Sequence, residues 1–310
     1  MTHQANRDNT CASSSHPIQI AKQEGWRTAA HILAGQSEDP ASELEYITSE
    51  RCADFRFLLP VTGDDSVLDI CGGWGSTTAA FARISKHVFS LHSSSEKLAF
   101  TGVRCDQEEL NNVTLIQSSP VNIPLPAQSC QVALLTEPLA CGLLPNAGTG
   151  SCDHQLQILK SIFRVLTPGG SLYLNIDNRF SYRYLLGARV PPTNLRFISL
   201  LPRSLANYYS RRILGIDYPA VAQSLGEITA LLKQAGFINP DPLYPIPGYK
   251  KFRFLTNFDS RVITGYMISR LQLHSGFNRT SLIFARFAAA LGILRWSSPG
   301  ISVIAYKDGS

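Results

Sequence analysis

The sequence predicts an α/β fold with a doubly wound, largely parallel sheet and helices on both of its faces. From residue 66 onward, short apolar runs alternate with stretches of helical periodicity, which is typical of parallel strands with crossover helices. The first run ends in a glycine turn, "DICGGWGS", that leads into a helix. The chain has 310 residues, of which 44% are hydrophobic and 16% charged, so it is long enough to bury a full core.

The N-terminal region precedes this alternation. Residues 1–16 are rich in serine and lack the apolar core of a secretory signal, which favours a flexible tail. Residues 17–62 are predicted to be a helical extension, because Ile18–Leu33 and Ser42–Leu59 have helix-like apolar spacing before the turn "PVTGDD". The remaining residues, 63–310, are assigned to the α/β domain.

Five candidate strands and three crossover helices follow in order. The strands are "SVLDI", "HVFSLH", "VTLIQS", "CQVALLT" and, after the turn "TPGG", "SLYLNI". The helices are predicted at Thr77–Ser85, Glu96–Asn111 and Asp153–Leu166.

The C-terminal part contributes one more helix and one more strand. A helix over Gln223–Ala235 is predicted to end at Gly236, and an extended segment, "FINPDPLYPIP", follows it. "ISVIAYK" is the last strand. Residues 179–217 and 249–298 are not needed for a minimal α/β domain, so both are interpreted as insertions on the substrate side, the second being a helical insertion before the last strand.

Composition excludes several classes of protein. The seven cysteines contain no C-x-x-C pair, so neither a disulfide framework nor a zinc site is indicated, and no metal is expected. A reduced, cytoplasmic protein is the expectation. The longest apolar run, "SLIFARFAAALGILRW", is interrupted by Arg286 and is shorter than the roughly 20 residues of a membrane-spanning helix.

The glycine turn marks the expected ligand site. Asp69 stands at the carboxyl end of the first strand, where ligands bind in open α/β sheets, and the glycines after it allow close approach of the backbone. A dinucleotide fingerprint fits only in part, because G-x-G-x-x is followed by Thr78 rather than glycine.

The stretch "VLDICGGWGSTTAAFA" resembles the first motif of the class I S-adenosylmethionine-dependent methyltransferases. "HVFSLHSSSEKL", "VTLIQSSPVNIPLP" and "LQILKSIFRVLTPGGSLYLNI" resemble the later motifs of that family in the same order, and "LLKQAGF" extends the match. The resemblance implies a Rossmann-like methyltransferase fold and S-adenosylmethionine as the cofactor. It places Asp69, Gly73 and Gly75 around the amino-acid end of the cofactor. Cys71 and Gly72 are also counted among the cofactor-binding residues, although the family usually has a glycine where Cys71 stands.

Besides Cys71, two positions that are usually acidic depart from the family pattern. His92 matches the acidic residue that binds the ribose hydroxyls, and Ser119 matches the acidic residue near the adenine amino group. A histidine lacks the bidentate acceptance of a carboxylate. Ser93 and Thr136 complete the cofactor-binding residues that the resemblance implies. These departures leave two hypotheses open: an active methyltransferase, or a non-catalytic binding or scaffold protein that has kept the fold.

The substrate side carries a block of one charge. From Asn178 to Ile216 the sequence has seven arginines but no lysine and no acidic residue. Arginines bind phosphate or carboxylate, which indicates an anionic small-molecule substrate, although a solvated helical face would also explain them. Asn178, Arg179 and Arg183 are the predicted substrate-binding residues, with turn formation as the alternative for the first two.

A looser resemblance narrows the substrate class. "NIDNRFSYRYLLG" and "PLYPIPGYKKFRF" are similar to methyltransferases associated with glycan biosynthesis, which implies O-methylation of a saccharide-like or other anionic molecule. The candidate catalytic residues are Glu137 after the fourth strand, His154 as a general base or a helix cap, and Asp177 at the end of the fifth strand.

The charge of the chain bears on two kinds of macromolecular partner. No recognised nucleic-acid-binding motif accompanies the net charge of +5, so no specific nucleic-acid partner is expected. Residues 267–296 combine arginines with an apolar stripe, which suits either peripheral contact with an anionic membrane or a helix packed on the sheet.

Overall fold

A computed structural model describes most of the chain. The described residues are 16–37, 39–137, 151–185, 187–191, 193–218, 222–246, 248, 252–257, 283, 286–287, 290–292 and 294–309. The predicted tail, 1–16, and the segments 249–298 and 267–296 lie largely outside them. The chain divides into two compact units, residues 1–136 with 165–167 and residues 137–164 with 168–310, which are described in turn.

The first unit contains four parallel strands and two crossover helices. Its elements are β1 (Ser66–Ile70), α4 (Ser76–Ala82), β2 (His87–His92), α5 (Ser95–Gln107), β3 (Val113–Gln117) and β4 (Cys130–Leu135). The strands run parallel in the order β3-β2-β1-β4. Because β1 lies between β2 and β4, the order reverses at β1, and the carboxyl end of β1 is the topological switch point where ligands bind in such sheets. The predicted α/β fold class is confirmed.

In the described residues before β1, which are 16–37 and 39–65, there are three helices and one 3₁₀ helix. They are α1 (residues 16–24), α2 (Trp26–Gly35), α3 (Pro40–Thr48) and the 3₁₀ helix Glu50–Leu58. α1 and α2 were predicted as one helix, but Gly25 breaks it with a φ of 99°. The Gln107 side chain of α5 bridges the break, since it accepts from Trp26 N (2.8 Å) and donates to Ala21 O (2.7 Å).

The second predicted helix is also divided. Asp39 caps α3 by accepting from Ser42 N at 3.2 Å, and Ser49 adopts an extended conformation that ends α3 before the 3₁₀ helix. α2 and α3 pack on α5 through one apolar cluster, whose members include Trp26, Ile47 and Phe100. The helices before β1 are thereby part of the first unit's core.

The second unit is built mainly on antiparallel strands. Its strands are β5 (Leu166–Asp177, which begins in the first unit), β6 (Arg189–Val190), β7 (Leu195–Arg196), β8 (Ile238–Ile246), β9 (Phe254–Asn257) and β10 (Gly300–Tyr306). β10 lies antiparallel between β5 and β8, and β8 pairs antiparallel with β9. β6 and β7 form a separate hairpin.

Several helices accompany these strands. They are α6 (Ser151–Val165), α7 (Tyr182–Leu185), the 3₁₀ helix Ile198–Leu200, α8 (Arg203–Leu214), α9 (Leu225–Ala235) and α10 (Leu294–Ser297). α9 begins with a capping box between Ser224 and Glu227 and ends at Gly236, as the sequence predicted for its C-terminus. Among the helices that the structure describes, none combines the length and the hydropathy of a membrane-spanning segment.

Three sequence interpretations are corrected. The proline-studded segment after Gly236 was predicted only as extended chain, but it forms β8, a paired strand. Phe254–Asn257 was placed inside an insertion, but it forms β9 and pairs with β8. The "TPGG" turn is also included in the long strand β5.

Buried thiols give a first testable prediction. Burial raises the pKa of Cys52 to about 12 and the pKa values of Cys105 and Cys130 to about 11. Because the thiolate is the reactive form, these three cysteines should resist iodoacetamide at pH 8 in the native protein and react on unfolding in urea. Mass spectrometry of the digested protein measures each site, and rapid native labelling of any of the three would contradict the described packing.

Candidate functional site

The glycine turn after β1 is held in an unusual backbone conformation. Cys71 has a φ of 54°, although it is not a glycine, and Gly73 and Gly75 have φ values of 59° and 81°. A non-glycine residue in the left-handed region costs roughly 1–2 kcal/mol. Cys71 is fully buried, and its N–H donates to Leu91 O of β2 at 2.8 Å. The turn therefore keeps the conformation that a glycine would favour at position 71.

Asp69 anchors the start of α4. Its side chain is fully buried, and Oδ2 accepts from Thr77 Oγ1 at 2.7 Å and from Thr78 Oγ1 at 2.6 Å. Thr78 Oγ1 also lies 3.1 Å from Ser90 Oγ of β2. These bonds to a charged group fix β1, the turn and α4 relative to one another.

Gly72 is required by close packing rather than by its φ. A Cβ at this position would lie 2.2 Å from Asp69 Oδ2 and 2.6 Å from Thr77 Oγ1. No side chain fits there without displacing the carboxylate or the hydroxyl.

Tyr46 of α3 lies against the turn, a contact that no sequence pattern predicts. A Cβ on Gly73 would be 3.2 Å from Tyr46 Cε1 and 3.3 Å from its hydroxyl oxygen. Ser76 Oγ at the start of α4 bonds to the carbonyl oxygens of Tyr46 (3.0 Å) and Ile47 (2.6 Å). The helices before β1 thus reach the turn where the cofactor is expected.

Arg104 of α5 stabilises the contact between α3 and the start of α4. Its side chain is almost completely buried, and Nη1 donates to Ile47 O at 2.7 Å and to Ser76 Oγ at 3.1 Å. Nε lies 3.2 Å from Glu108 Oε1, and the guanidinium stands 4.1 Å from the centre of the Trp26 ring. Burial lowers the pKa of Arg104, and the Glu108 carboxylate opposes that shift. An arginine four residues after Phe100 on the helix's apolar face was the sequence signal for this role.

His92 stands at the carboxyl end of β2 and is buried. Its Nδ1 accepts from Ser94 N at 2.8 Å, so the neutral imidazole carries its proton on Nε2. The ring therefore offers a donor, not an acceptor, at Nε2. Ser93 is exposed beside it, and Ser94 caps α5 by accepting from Lys97 N at 3.4 Å.

The other two predicted cofactor residues lie at the ends of β3 and β4. Ser119 is exposed in the turn after β3, where its Oγ accepts from Val121 N at 3.4 Å. Thr136 is buried directly after β4. Parallel strands place the ends of β1, β2 and β4 at one edge of the sheet, so Asp69, His92 and Thr136 belong to the same edge.

In the second unit, the residues that follow β5 are engaged with the protein itself. The Asn178 side chain is buried, donates to Trp296 O (2.9 Å) and Ser298 Oγ (3.2 Å), and accepts from Phe180 N (3.0 Å). The backbone of Asp177 accepts from Gln223 N at 2.9 Å. These contacts support the turn-forming alternative for Asn178, and a role in substrate binding stays a prediction.

Arg179 is also tied to its surroundings. Nε donates to Ser199 O at 3.0 Å, Nη2 donates to Leu201 O at 2.8 Å, and Nη1 pairs with Glu227 Oε1 at 2.5 Å. Arg183, by contrast, is exposed on α7. Of the two predicted arginines, Arg183 is the better placed to meet an anion from solvent.

His154 lies in the first turn of α6. Its Nε2 is buried and has no hydrogen-bond partner within the described part of the chain, and burial lowers the pKa of its imidazole. A neutral imidazole is the form that accepts a proton. Glu137, which follows β4 by two residues, is half-buried.

Two buried tyrosines lie among the arginine-rich residues after β5. Tyr184 and Tyr218 belong to one apolar cluster with Val190, Ile198 and Ala206. Burial raises the pKa of Tyr218 to about 12 and raises the pKa of Tyr184 further, so both phenols stay protonated at neutral pH. Among the described residues no cluster of metal-ligating side chains occurs.

Comparison with known proteins agrees with the geometry of the first unit. Residues 67–170, about a third of the chain, match the model of a family described as a methyltransferase domain. A demethylmenaquinone methyltransferase of Listeria welshimeri is 27% identical over 118 residues, which are 37% of this chain and 46% of that protein. The same enzyme of a Geobacillus species is 25% identical over 181 residues, 56% of this chain and 70% of the relative.

The chain spans about half the length of the Listeria relative. Among solved structures, a geranyl diphosphate C-methyltransferase of Streptomyces coelicolor superposes with a TM-score of 0.49 at 12% identity, with 86% of this chain and 82% of that one covered. The family-model match supports the predicted methyltransferase superfamily. Over residues 67–170 this chain is similar to a methyltransferase domain.

Proposed function

We propose that this protein transfers a methyl group from S-adenosylmethionine to a small anionic acceptor. The observation that carries the proposal is the turn after β1, where buried Asp69 is fixed by two threonine hydroxyls and Gly72 leaves no room for a side chain. This cradle brings bare backbone to the ligand edge of the sheet. The cofactor supplies an activated methyl group, so the protein's task is to align the acceptor and exclude competing reactions.

The acceptor class rests on charge. We propose an oxygen of a saccharide-like or other anionic molecule as the methylated atom, with exposed Arg183 as the residue that meets the anion. The Listeria and Geobacillus relatives are named for demethylmenaquinone, which is therefore the competing acceptor. Incubation with labelled S-adenosylmethionine and each class of acceptor, followed by mass spectrometry of the product, decides between them.

Direct titration tests the cofactor proposal. Calorimetry with S-adenosylmethionine and S-adenosylhomocysteine should show binding, and no heat at millimolar cofactor would overturn the proposal.

A second candidate function, a non-catalytic protein that keeps the fold, is favoured by one observation. His92 Nδ1 already accepts from Ser94 N, so this side chain does not accept from both ribose hydroxyls as a carboxylate would.

Restoring a carboxylate should strengthen cofactor binding. We expect His92→Asp to lower the Kd for S-adenosylhomocysteine by about tenfold, because one hydrogen bond to a charged group contributes about 1.5–3 kcal/mol, part of which is spent on Ser94 N. His87→Asp, at the opposite end of β2, is the matched control and should leave the Kd unchanged. Equal affinity in the parent and the His92 variant would show that position 92 does not face the ribose.

The neutral imidazole of His154 leads to a pH prediction. If His154 is the general base for a hydroxyl acceptor, His154→Gln should lower kcat by about 10²- to 10⁴-fold without changing the Kd for cofactor. Because burial lowers its pKa, the base is already deprotonated at neutrality, so kcat should stay constant from about pH 7 upward and fall below that pKa. His31→Gln on α2 is the control, and a parent-like kcat in the His154 variant would assign His154 to helix capping.

A further inference from the structure

Helix α8 exposes its large apolar side chains and buries its small ones. Leu205 and Tyr208 are 53% and 70% exposed, and Tyr209 is also exposed. The residues that α8 buries are Ala206 and Ser210. A surface helix of a globular protein normally turns its large apolar residues toward the core, so the apolar face of α8 points the opposite way, toward solvent.

The exposed residues form one stripe. Leu205, Tyr208, Tyr209 and Arg212 have the spacing i, i+3, i+4 and i+7, which places them side by side on one helix face. Exposed Ile213 lies one turn beyond Tyr209 and lengthens the stripe. We call Leu205, Tyr208, Tyr209, Arg212 and Ile213 the α8 stripe.

Unpaired positive charge accompanies the α8 stripe. Arg212 is exposed and has no carboxylate partner in the described part of the chain, whereas its neighbour Arg211 pairs with Asp217, with Nη2 at 2.8 Å from Oδ2. In the nearby β6-β7 hairpin, Arg189 stands directly opposite Arg196, and both are exposed. Like charges that face each other across two strands are destabilising, and a bound anion would relieve this repulsion.

We propose that the α8 stripe and the arginines of the β6-β7 hairpin dock on a lipid bilayer that contains anionic lipid. A helix that lies in the interface places aromatic and aliphatic side chains among the headgroups and arginines against their phosphates. No acidic residue occurs from residue 178 to residue 216, so the charge of this surface complements an anionic membrane. Leu205 and Ile213 favour lipid over nucleic acid, which would take charge and aromatic stacking alone.

This docking surface goes beyond the proposed methyl transfer and does not depend on it. It would hold the protein at a membrane whether or not the methyl acceptor is a lipid. The surface also differs from residues 267–296, the segment whose sequence suggested membrane contact.

Vesicle co-sedimentation of the full chain tests the proposal. We expect binding to vesicles of phosphatidylcholine with phosphatidylglycerol, little binding to phosphatidylcholine alone, and release at high salt. Arg212→Glu should lower the partition coefficient on the order of tenfold. Each arginine near such a surface contributes about 1 kcal/mol to membrane binding, and the variant also adds a negative charge. The double variant Leu205→Ser, Tyr208→Ser should weaken it at least as much.

Matched control variants exist on the first unit. Phe57 and Leu58 are 76% and 47% exposed, and Arg51 is exposed in the same 3₁₀ helix. Phe57→Ser with Leu58→Ser, and Arg51→Glu, should leave the partition coefficient unchanged. Thermal melting monitored by circular dichroism confirms that every variant is folded.

Three results would overturn the proposal. They are equal binding to neutral and anionic vesicles, no binding to either, and α8-stripe variants that sediment like the parent. Analytical ultracentrifugation without lipid adds a fourth: a dimer that the Leu205 and Tyr208 substitutions dissociate would assign the stripe to a second copy of the chain. Calorimetry with S-adenosylhomocysteine on the same variants should be unchanged, so failure of docking and failure of the proposed methyl transfer are distinguished.

Discussion

Replacing Gly72 with alanine should abolish detectable S-adenosylhomocysteine binding and lower the free energy of unfolding by about 3 kcal/mol. The added Cβ would stand 2.2 Å from Asp69 Oδ2 and 2.6 Å from Thr77 Oγ1, which is closer than a Cβ atom can approach an oxygen to which it is not bonded. Relief requires movement of a buried carboxylate that accepts two hydroxyl hydrogen bonds. Overpacking costs about 1–3 kcal/mol, and loss of a buried bond to a charged group adds about 1.5–3 kcal/mol.

Urea denaturation and calorimetric titration measure the two effects of Gly72→Ala separately. Gly63→Ala is the matched control, because Gly63 lies in a turn where an added Cβ meets nothing within 4 Å. We expect the control to change stability by less than about 0.5 kcal/mol, as surface substitutions usually do. A Gly72→Ala protein with parental stability and affinity would mean that Asp69 is not held as described.

The parts of the fold that follow from local pattern were predictable. β1, β2 and β4 are short, mainly buried runs bounded by turn residues, so the sequence located them to within a few residues. The switch point after β1 followed from the glycine turn. The break at Gly25 was not predictable, because Gln107, more than 80 residues away, satisfies the backbone groups on both sides of it.

β8 shows a second limit of pattern reasoning. Its sequence, "INPDPLYPI", contains three prolines, which cannot donate to a ladder and are normally confined to edges or bulges. The strand nevertheless lies between β9 and β10, and its register with β10 shifts between Ile304 and Tyr306. Pairing with two neighbours overrode the local preference.

Only the part of the candidate site that is contiguous in sequence was predictable. Asp69 and the glycines follow one another in sequence, so a motif identifies them. Tyr46 and Arg104 reach the same turn from other elements, and only tertiary packing brings them there. His92 illustrates the same point, since its position was correctly placed at the end of β2, but its tautomer depends on the hydrogen bond from Ser94 N.

Replacing Arg104 with leucine should lower the free energy of unfolding by about 3 kcal/mol. The substitution removes the donor to Ile47 O and Ser76 Oγ, which costs about 1–3 kcal/mol, and the stacking over Trp26, which is worth about 1–2 kcal/mol when desolvated. Glu108 would keep Arg83 Nη2 at 2.7 Å, so its carboxylate is not left uncompensated. The cost therefore stays near the lower end of that for breaking a buried ion pair.

Arg83→Leu separates this effect from simple loss of charge, because both arginines pair with Glu108. Arg83 is partly exposed and pairs with Glu50 at the surface and with the mostly buried Glu108, which keeps Arg104 as its partner in this variant. Pairs of an exposed arginine contribute about 0–1 kcal/mol. Urea denaturation should therefore rank Arg104→Leu well below Arg83→Leu in stability, with Arg104→Lys between them because lysine keeps the charge but lacks the planar fork. Hydrogen exchange should also accelerate in residues 26–48 of the Arg104→Leu protein, and cofactor affinity should fall, because Ile47 and Tyr46 lose their attachment to the turn. A different result would contradict this role of Arg104. If Arg83→Leu lowered the free energy of unfolding as much as Arg104→Leu, and hydrogen exchange in residues 26–48 stayed slow, Arg104 would stabilise the fold through Glu108 and not through Ile47 and Ser76.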